Sequence, residues 1–275
     1  MNSPLLSLLR TNPEIVKSIM TSLLDDVEKS FDNKSAEEAS PVALTWASIS
    51  TEFSAFVRSN PDLWNTIWLH WPTRTIRLYS KVSRPLTLNI RLDTQKITKI
   101  ARQHRKQWAP FLQTKLIHDR VGTMKIAIDD GHAMTTALGR TLNTPSITLT
   151  SFTLLLGKNV RVVPQLLSGY APRLHTLRVD SAIAYKLQAF YESLQHLELH
   201  LGANNSSTIY LSETLKHMTK LKTLVLVGSP ELSQLPVPRR PPHPLRLPAL
   251  ESLTIKDMCD KRGALYTKYI KSSVL

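Results

Sequence analysis

The chain reads as an α+β protein: a small helical head over residues 1–71, then an irregular α/β leucine-rich-repeat solenoid over 72–275. Three observations predict this. The pattern L-x-x-L-x-L recurs in the second half at spacings near those of leucine-rich repeats. Apolar residues in the first 60 positions follow the helical period. The charge changes sign at a tryptophan cluster, SNPDLWNTIWLHW, where Trp64, Trp68 and Trp71 crowd together. Residues 1–70 hold 5 basic and 9 acidic residues, 71–140 hold 14 and 4, and 141–275 hold 16 and 8, so the net charge runs −4, +10 and +8.

The head begins with NPEIVKSIMTSLLDD, in which Ile15, Ile19 and Leu23 fall four apart with Val16, Met20 and Leu24 beside them. Asn12 is placed to cap this helix, Pro13 suits its first position, and Glu14 complements its dipole. DDVEKSFDNKSAEEAS is acidic and polar and reads as a solvated loop. PVALTWASISTEFSAFVRSNP reads as a second helix, apolar at Val42, Trp46, Ile49, Phe53 and Phe56, ending before Pro61. A short turn, DLWNTIW, follows. A head this small is marginally stable alone and gains by packing its last aromatics on the next element. Trp64 is therefore expected to close the head, and Trp68 and Trp71 to fasten it to the 75–90 segment.

The order of these pieces resembles an F-box: a proline–glutamate–apolar helix start, then Val-x-x-x-Trp, then Pro-x-Leu-Trp. The continuation is similar to F-box proteins expanded in mushroom-forming fungi, with TIRLYSKVSRPLTLNIRL, a helix like QHRKQWAPFL, and leucine-rich repeats. Asn12 stands where that family usually has leucine, and Ala43-Leu44-Thr45 replaces its cysteine and basic residues. The resemblance implies a substrate-recognition adaptor of an SCF-type (Skp-cullin-F-box) ubiquitin ligase. By the same resemblance Pro13, Glu14, Ile15, Val42, Trp46, Pro61, Leu63 and Trp64 would bind the Skp-type linker protein.

In the body the repeat appears as LHTLRV (174–179), LQHLEL (194–199), LKTLVL (221–226) and LESLTI (250–255). VGTMKI (121–126) and TPSITL (144–149) join under a relaxed rule. Each unit is one short strand with inward leucines and a return segment, for which KLQAFYESL and SETLKHM are candidate helices; stacking buries what no unit can bury alone. Leu177, Leu197, Leu224 and Leu253 are expected in the core on parallel strands. The asparagine usual eight positions on is replaced by Ala182, Gly202, Ser229 and Met258, so irregular coils are expected. Strand alternation turns Thr176, Arg178, His196, Glu198, His200, Thr223, Val225, Thr254 and Lys256 to the outer face, as candidates for binding a protein target.

Other patterns carry less. His196, Glu198 and His200 alternate on one strand with no fourth ligand in sight, so no metal is expected. PVPRRPPHPLRLP contains a PxxPxR match but reads as a stiff inter-repeat loop. KITKIARQHRK reads as the solvated face of a basic helix, so nucleic acid is not the expected partner. LGKN lacks the rest of a phosphate-binding loop. Cys259 is the single cysteine, which excludes an internal disulfide and a cysteine zinc site. No catalytic set is recognisable, so no enzyme activity and no cofactor are expected. No apolar run reaches the ~18 residues of a membrane span. The N-terminal MNSPLLSLLRTNPE lacks a basic start and a cleavage site, so no signal peptide is expected, and the protein is placed in the cytoplasm or nucleus. Two further functions stay open: a stand-alone repeat module with a degenerate F-box, and a basic nucleic-acid-associated protein.

Overall fold

A computed structural model of the protein describes residues 4–31, 41–93, 119–128, 142–157, 166–180, 190–201, 215–228, 245–258 and 260–272. The fold is mixed α/β, and among the described residues ten strands pair in parallel, two in one compact unit (Met1–Val121) and eight in a second (Gly122–Leu275).

In the first unit, α1 (Pro4–Thr11) precedes α2 (Pro13–Phe31). The first of these was not anticipated. Asn12 separates the two, and its carbonyl accepts from the amides of Ile15 and Val16. Its side chain donates to Thr11 Oγ1 rather than capping α2. The second helix also runs beyond the expected start of the acidic loop, to Phe31. The single helix expected over 41–61 is instead two, α3 (Val42–Ala47) and α4 (Thr51–Ser59). The break has a local cause. Ser50 is extended and its side chain accepts from the Phe53 amide at 3.1 Å, so it caps a new helix instead of continuing the old one. Ile49 is thereby left exposed at the joint instead of lying on an apolar helix face.

A 3-10 turn (Pro61–Trp64) leads into β1 (Thr66–Trp68), then α5 (Thr73–Val82) and β2 (Leu88–Asp93), which pairs in parallel with β1. The tryptophans gather here. Trp64 is fully buried and its Nε1 donates to the Val57 carbonyl at 2.7 Å. Tyr79 of α5 lies edge-on to both Trp64 and Trp71, with ring centroids 4.8 Å apart in each case. The Tyr79 hydroxyl accepts from the Leu44 amide at 3.4 Å. Arg91 of β2 sits over the Trp68 ring at 5.7 Å. Trp71 thus meets the 75–90 segment through Tyr79, as expected, while Trp68 packs against Arg91 just beyond it. Arg120 holds the turn between α5 and β2, donating to the carbonyls of Ser80 (2.8 Å) and Leu86 (2.7 Å) and to Ser83 Oγ (3.0 Å).

The second unit carries β3 (Val121–Ile128), β4 (Ser151–Leu156), β5 (Thr176–Asp180), β6 (His196–Leu201), β7 (Thr223–Gly228), β8 (Leu245–Leu247) and β9 (Ser252–Lys256). Then come α6 (Asp260–Tyr269) and β10 (Ile270–Ser272), the latter paired with β8. Strands β3, β4, β5, β6, β7 and β9 lie side by side in chain order, all parallel. The equivalent leucines share a register: Leu177 opposes Leu197, Leu197 opposes Leu224, and Leu224 opposes Leu253. The first three are buried as expected, whereas Leu253 on β9 is only half-buried. Among the described residues β9 has one strand neighbour, so one flank of its side chains is uncovered.

One repeat is displaced from its expected place. TPSITL does not supply the strand; LTSFTL (149–154) does, with Leu149, Phe152 and Leu154 buried and Ile147 exposed. Phe152 opposes Met124 and Leu177, so it occupies the leucine position. The backbone repeats as well. The second residue of each unit offers its carbonyl to the next unit: Gly122 to Thr150, Thr150 to His175 and Thr176, His175 to Gln195 and His196. Gln195 serves Lys222 and Thr223, and Lys222 serves Glu251 and Ser252 in the same way. Backbone pairing of this kind fixes register independently of side-chain size. The last five residues of KLQAFYESL and the last four of SETLKHM are described and end in turns, while the starts of both, KITKIARQHRK, Trp108, Cys259 and the start of PVPRRPPHPLRLP lie outside the described residues.

Candidate functional site

The nine positions named for target binding come from β5, β6, β7 and β9, and pairing brings them into three rows on one face. Thr176, His196 and Thr223 form one row, and Arg178, Glu198, Val225 and Thr254 a second. The third is Asp180, His200, Val227 and Lys256. Their exposure follows from alternation: the leucines between them are buried, so these side chains point away from the core.

At the centre three side chains meet. Glu198 Oε1 lies 2.9 Å from Arg178 Nε and 2.8 Å from His200 Nε2, while the two nitrogens are 3.1 Å apart. Arg178 Nε donates to Glu198 Oε1, and His200 Nε2 lies within hydrogen-bonding distance of both, so the three side chains form one hydrogen-bonded cluster. The side chains of Arg178, Glu198 and His200 are 43%, 27% and 25% exposed, so the cluster is wetted but ordered. Beside it, Asp180 Oδ2 accepts from the Leu156 amide at 2.5 Å. Burial raises the Asp180 carboxyl above the ordinary range, against the pull of that amide, His200 and Arg178. Val225 and Val227 on β7 form a half-buried aliphatic shelf next to the charges.

Sequence reasoning missed Asp180, which lies one alternation beyond the LHTLRV window. It also missed Thr153, which opposes Arg178 on β4, because the β4 repeat was sought five residues too early. Among the described residues no group of three or more His, Cys, Asp or Glu side chains is placed to hold a metal ion. The chemistry of this face is hydrogen bonding and charge pairing.

No family model matches the chain, and no curated protein does.

The first unit presents a surface of another kind. Val16 and Met20 of α2 are buried, while Ile15, Ile19 and Leu23 are 50%, 48% and 48% exposed. These three make an aliphatic stripe about 12 Å long that adjoins the buried one, about 100° around the helix. Lys17 pairs with Asp62 at 3.3 Å, which ties α2 to the turn before Trp64. Arg10 pairs with Glu52 at 2.5 Å, tying α1 to α4 and holding Glu52 below the ordinary carboxylate range.

The eight positions named for linker binding divide by burial. Pro13 and Glu14 at the start of α2 are exposed with Ile15, and Val42, Trp46 and Pro61 are half-buried. Leu63 and Trp64 are buried in the unit's own core, so their part is to hold the turn in place. Among the described residues no helix is long and apolar enough to cross a membrane.

Proposed function

We propose that the protein is a substrate-recognition adaptor of an SCF-type ubiquitin ligase, with an F-box-like head and an irregular leucine-rich-repeat solenoid as its body. The head docks on a Skp-type linker protein and the outer strand face holds a protein target. Such an adaptor performs no chemistry itself; it works in the cytoplasm or nucleus by bringing target and ligase together. The observation that carries the reading is the stripe Ile15–Ile19–Leu23. A helix that keeps three aliphatic side chains half in water, directly after Pro13 and Glu14, has an apolar face suited to burial against a partner helix or groove.

The test is association with purified Skp-type linker, measured by calorimetry and by co-elution. The wild-type chain is expected to bind at micromolar concentration, and the double change Pro13→Ala with Ile15→Asp to abolish binding, because it places an unpaired charge in a desolvated contact. Both positions are exposed, so the melting temperature is expected to stay put. A wild-type chain that does not associate removes the adaptor reading, and a stand-alone repeat module takes its place.

A further inference from the structure

We infer that the strand face of the second unit takes an extended acidic segment of its target, seating a carboxylate on Arg178 and an aliphatic side chain on Val225 and Val227. The inference rests on the reading of that face as the target surface and adds the chemistry of the partner.

The argument starts from unused hydrogen-bonding capacity. Among the described residues Arg178 is engaged only through Nε, by Glu198 and His200. That leaves the Nη groups, with four N–H donors, on a side chain that is 43% exposed. An arginine held through Nε is pre-oriented, so its outer fork meets a carboxylate in the bidentate geometry that makes such pairs strong and directional. Glu198 and His200 are positioning residues here; they aim the guanidinium and make no contact with the ligand carboxylate.

Charge complementarity favours an anion. Lys125 on β3 and Lys256 on β9 flank the face, and residues 122–275 hold 18 basic against 10 acidic residues. The commitment is to a carboxylate rather than a phosphate, because a dianion would sit closer to repulsion from Glu198 and Asp180. Spacing sets the second contact. Strand β6 separates Arg178 on β5 from Val225 on β7, so the two lie two strand spacings apart, about 9.6 Å, which a segment in the extended polyproline II conformation, with about 3.1 Å rise and three residues per turn, covers in three residues with both side chains on one side. The recognised pattern is an acidic residue followed three positions later by an aliphatic one.

The experiment is an NMR titration of the full chain with acetyl-Glu-Gly-Gly-Leu-amide, which detects weak binding. The expected result is a saturable shift of the Arg178 Nε–H signal and of the Val225 and Val227 methyls. Arg178→Lys keeps the net charge and loses the fork, and is expected to weaken binding by at least about tenfold. The peptide with Gln in place of Glu should weaken to a similar extent. Lys220→Gln, at an exposed position elsewhere on the unit, should change little. No saturable shift, an Arg178→Lys variant that binds like wild type, or an equal loss in Lys220→Gln overturns the inference. Tighter binding of the phosphoserine version of the peptide overturns the choice of carboxylate. The linker takes no part in this titration, so its failure is separate from a failure of linker association.

Discussion

His70 packs edge-on against Trp68, with ring centroids 5.5 Å apart, and its Nδ1 is buried with no hydrogen-bond partner among the described residues. Burial pushes the imidazole down to about 4. The unfolded chain takes up this proton near the ordinary value of about 6.5, whereas the folded chain resists it down to about 4. The unfolded state therefore binds more protons between these limits. The stability that comes from keeping His70 neutral is full above about 6.5 and is lost as pH falls toward 4, at most about 3 kcal/mol. Urea unfolding followed by tryptophan fluorescence should show this slope in the wild type and lack that share in His70→Gln. Parallel stability curves for the two proteins across that window would count against it. At the same scale, the helical period of Ile15, Ile19 and Leu23 was plain in the sequence, but which apolar side is covered was not. A period marks a face; its burial depends on chain segments far away, and here Val16 and Met20 took the core.

Among elements, what was legible followed from strict repetition. Four units matched L-x-x-L-x-L closely, and their strands stand where the pattern put them, because each leucine must oppose the same leucine in the next unit. The β4 strand was misplaced since Phe152 fills a leucine position, while Ile147 mimics one from an exposed site. The break between α3 and α4 was missed because a serine cap competes locally with a good apolar period. The β7–β9 pair offers a test. A Cβ on Gly228 would lie 2.3 Å from the Asp257 carbonyl oxygen and 2.7 Å from Met258 Cγ. Asp257 has φ 55°, so the chain is already turned tightly there. Gly228→Ala should destabilise the second unit by about 1–3 kcal/mol through overpacking, and Leu224→Ala by about 2–5 kcal/mol through a core cavity. Urea titration followed by far-UV circular dichroism measures both. A Gly228→Ala protein as stable as wild type would mean that β7 and β9 do not approach this closely.

At the scale of the whole molecule, the two surfaces belong to different units and different chemistries. The helix stripe is aliphatic, in a segment whose first 70 residues carry a net −4; the strand face is polar, in a unit rich in lysine and arginine. Their binding should therefore be separable by substitution and by salt. Ile15→Asp is expected to end association with the Skp-type linker while leaving the acidic-peptide titration unchanged, and Arg178→Lys to do the reverse. Both side chains are substantially solvent-exposed, so neither change should unfold the chain. Salt discriminates further. An aliphatic contact loses little when ionic strength rises, whereas a carboxylate–guanidinium contact at a wetted surface weakens as the Debye length shrinks from about 10 Å at 0.1 M toward 3 Å at 1 M. Linker affinity is expected to hold nearly constant over that range and peptide affinity to fall. A protein that instead bound nucleic acid would show a much steeper loss, in proportion to the number of phosphates it neutralises. Measuring both affinities for each variant at low and high salt settles the assignment: a single substitution that abolishes both interactions in a chain that remains folded would mean that the two surfaces do not act as independent docking sites.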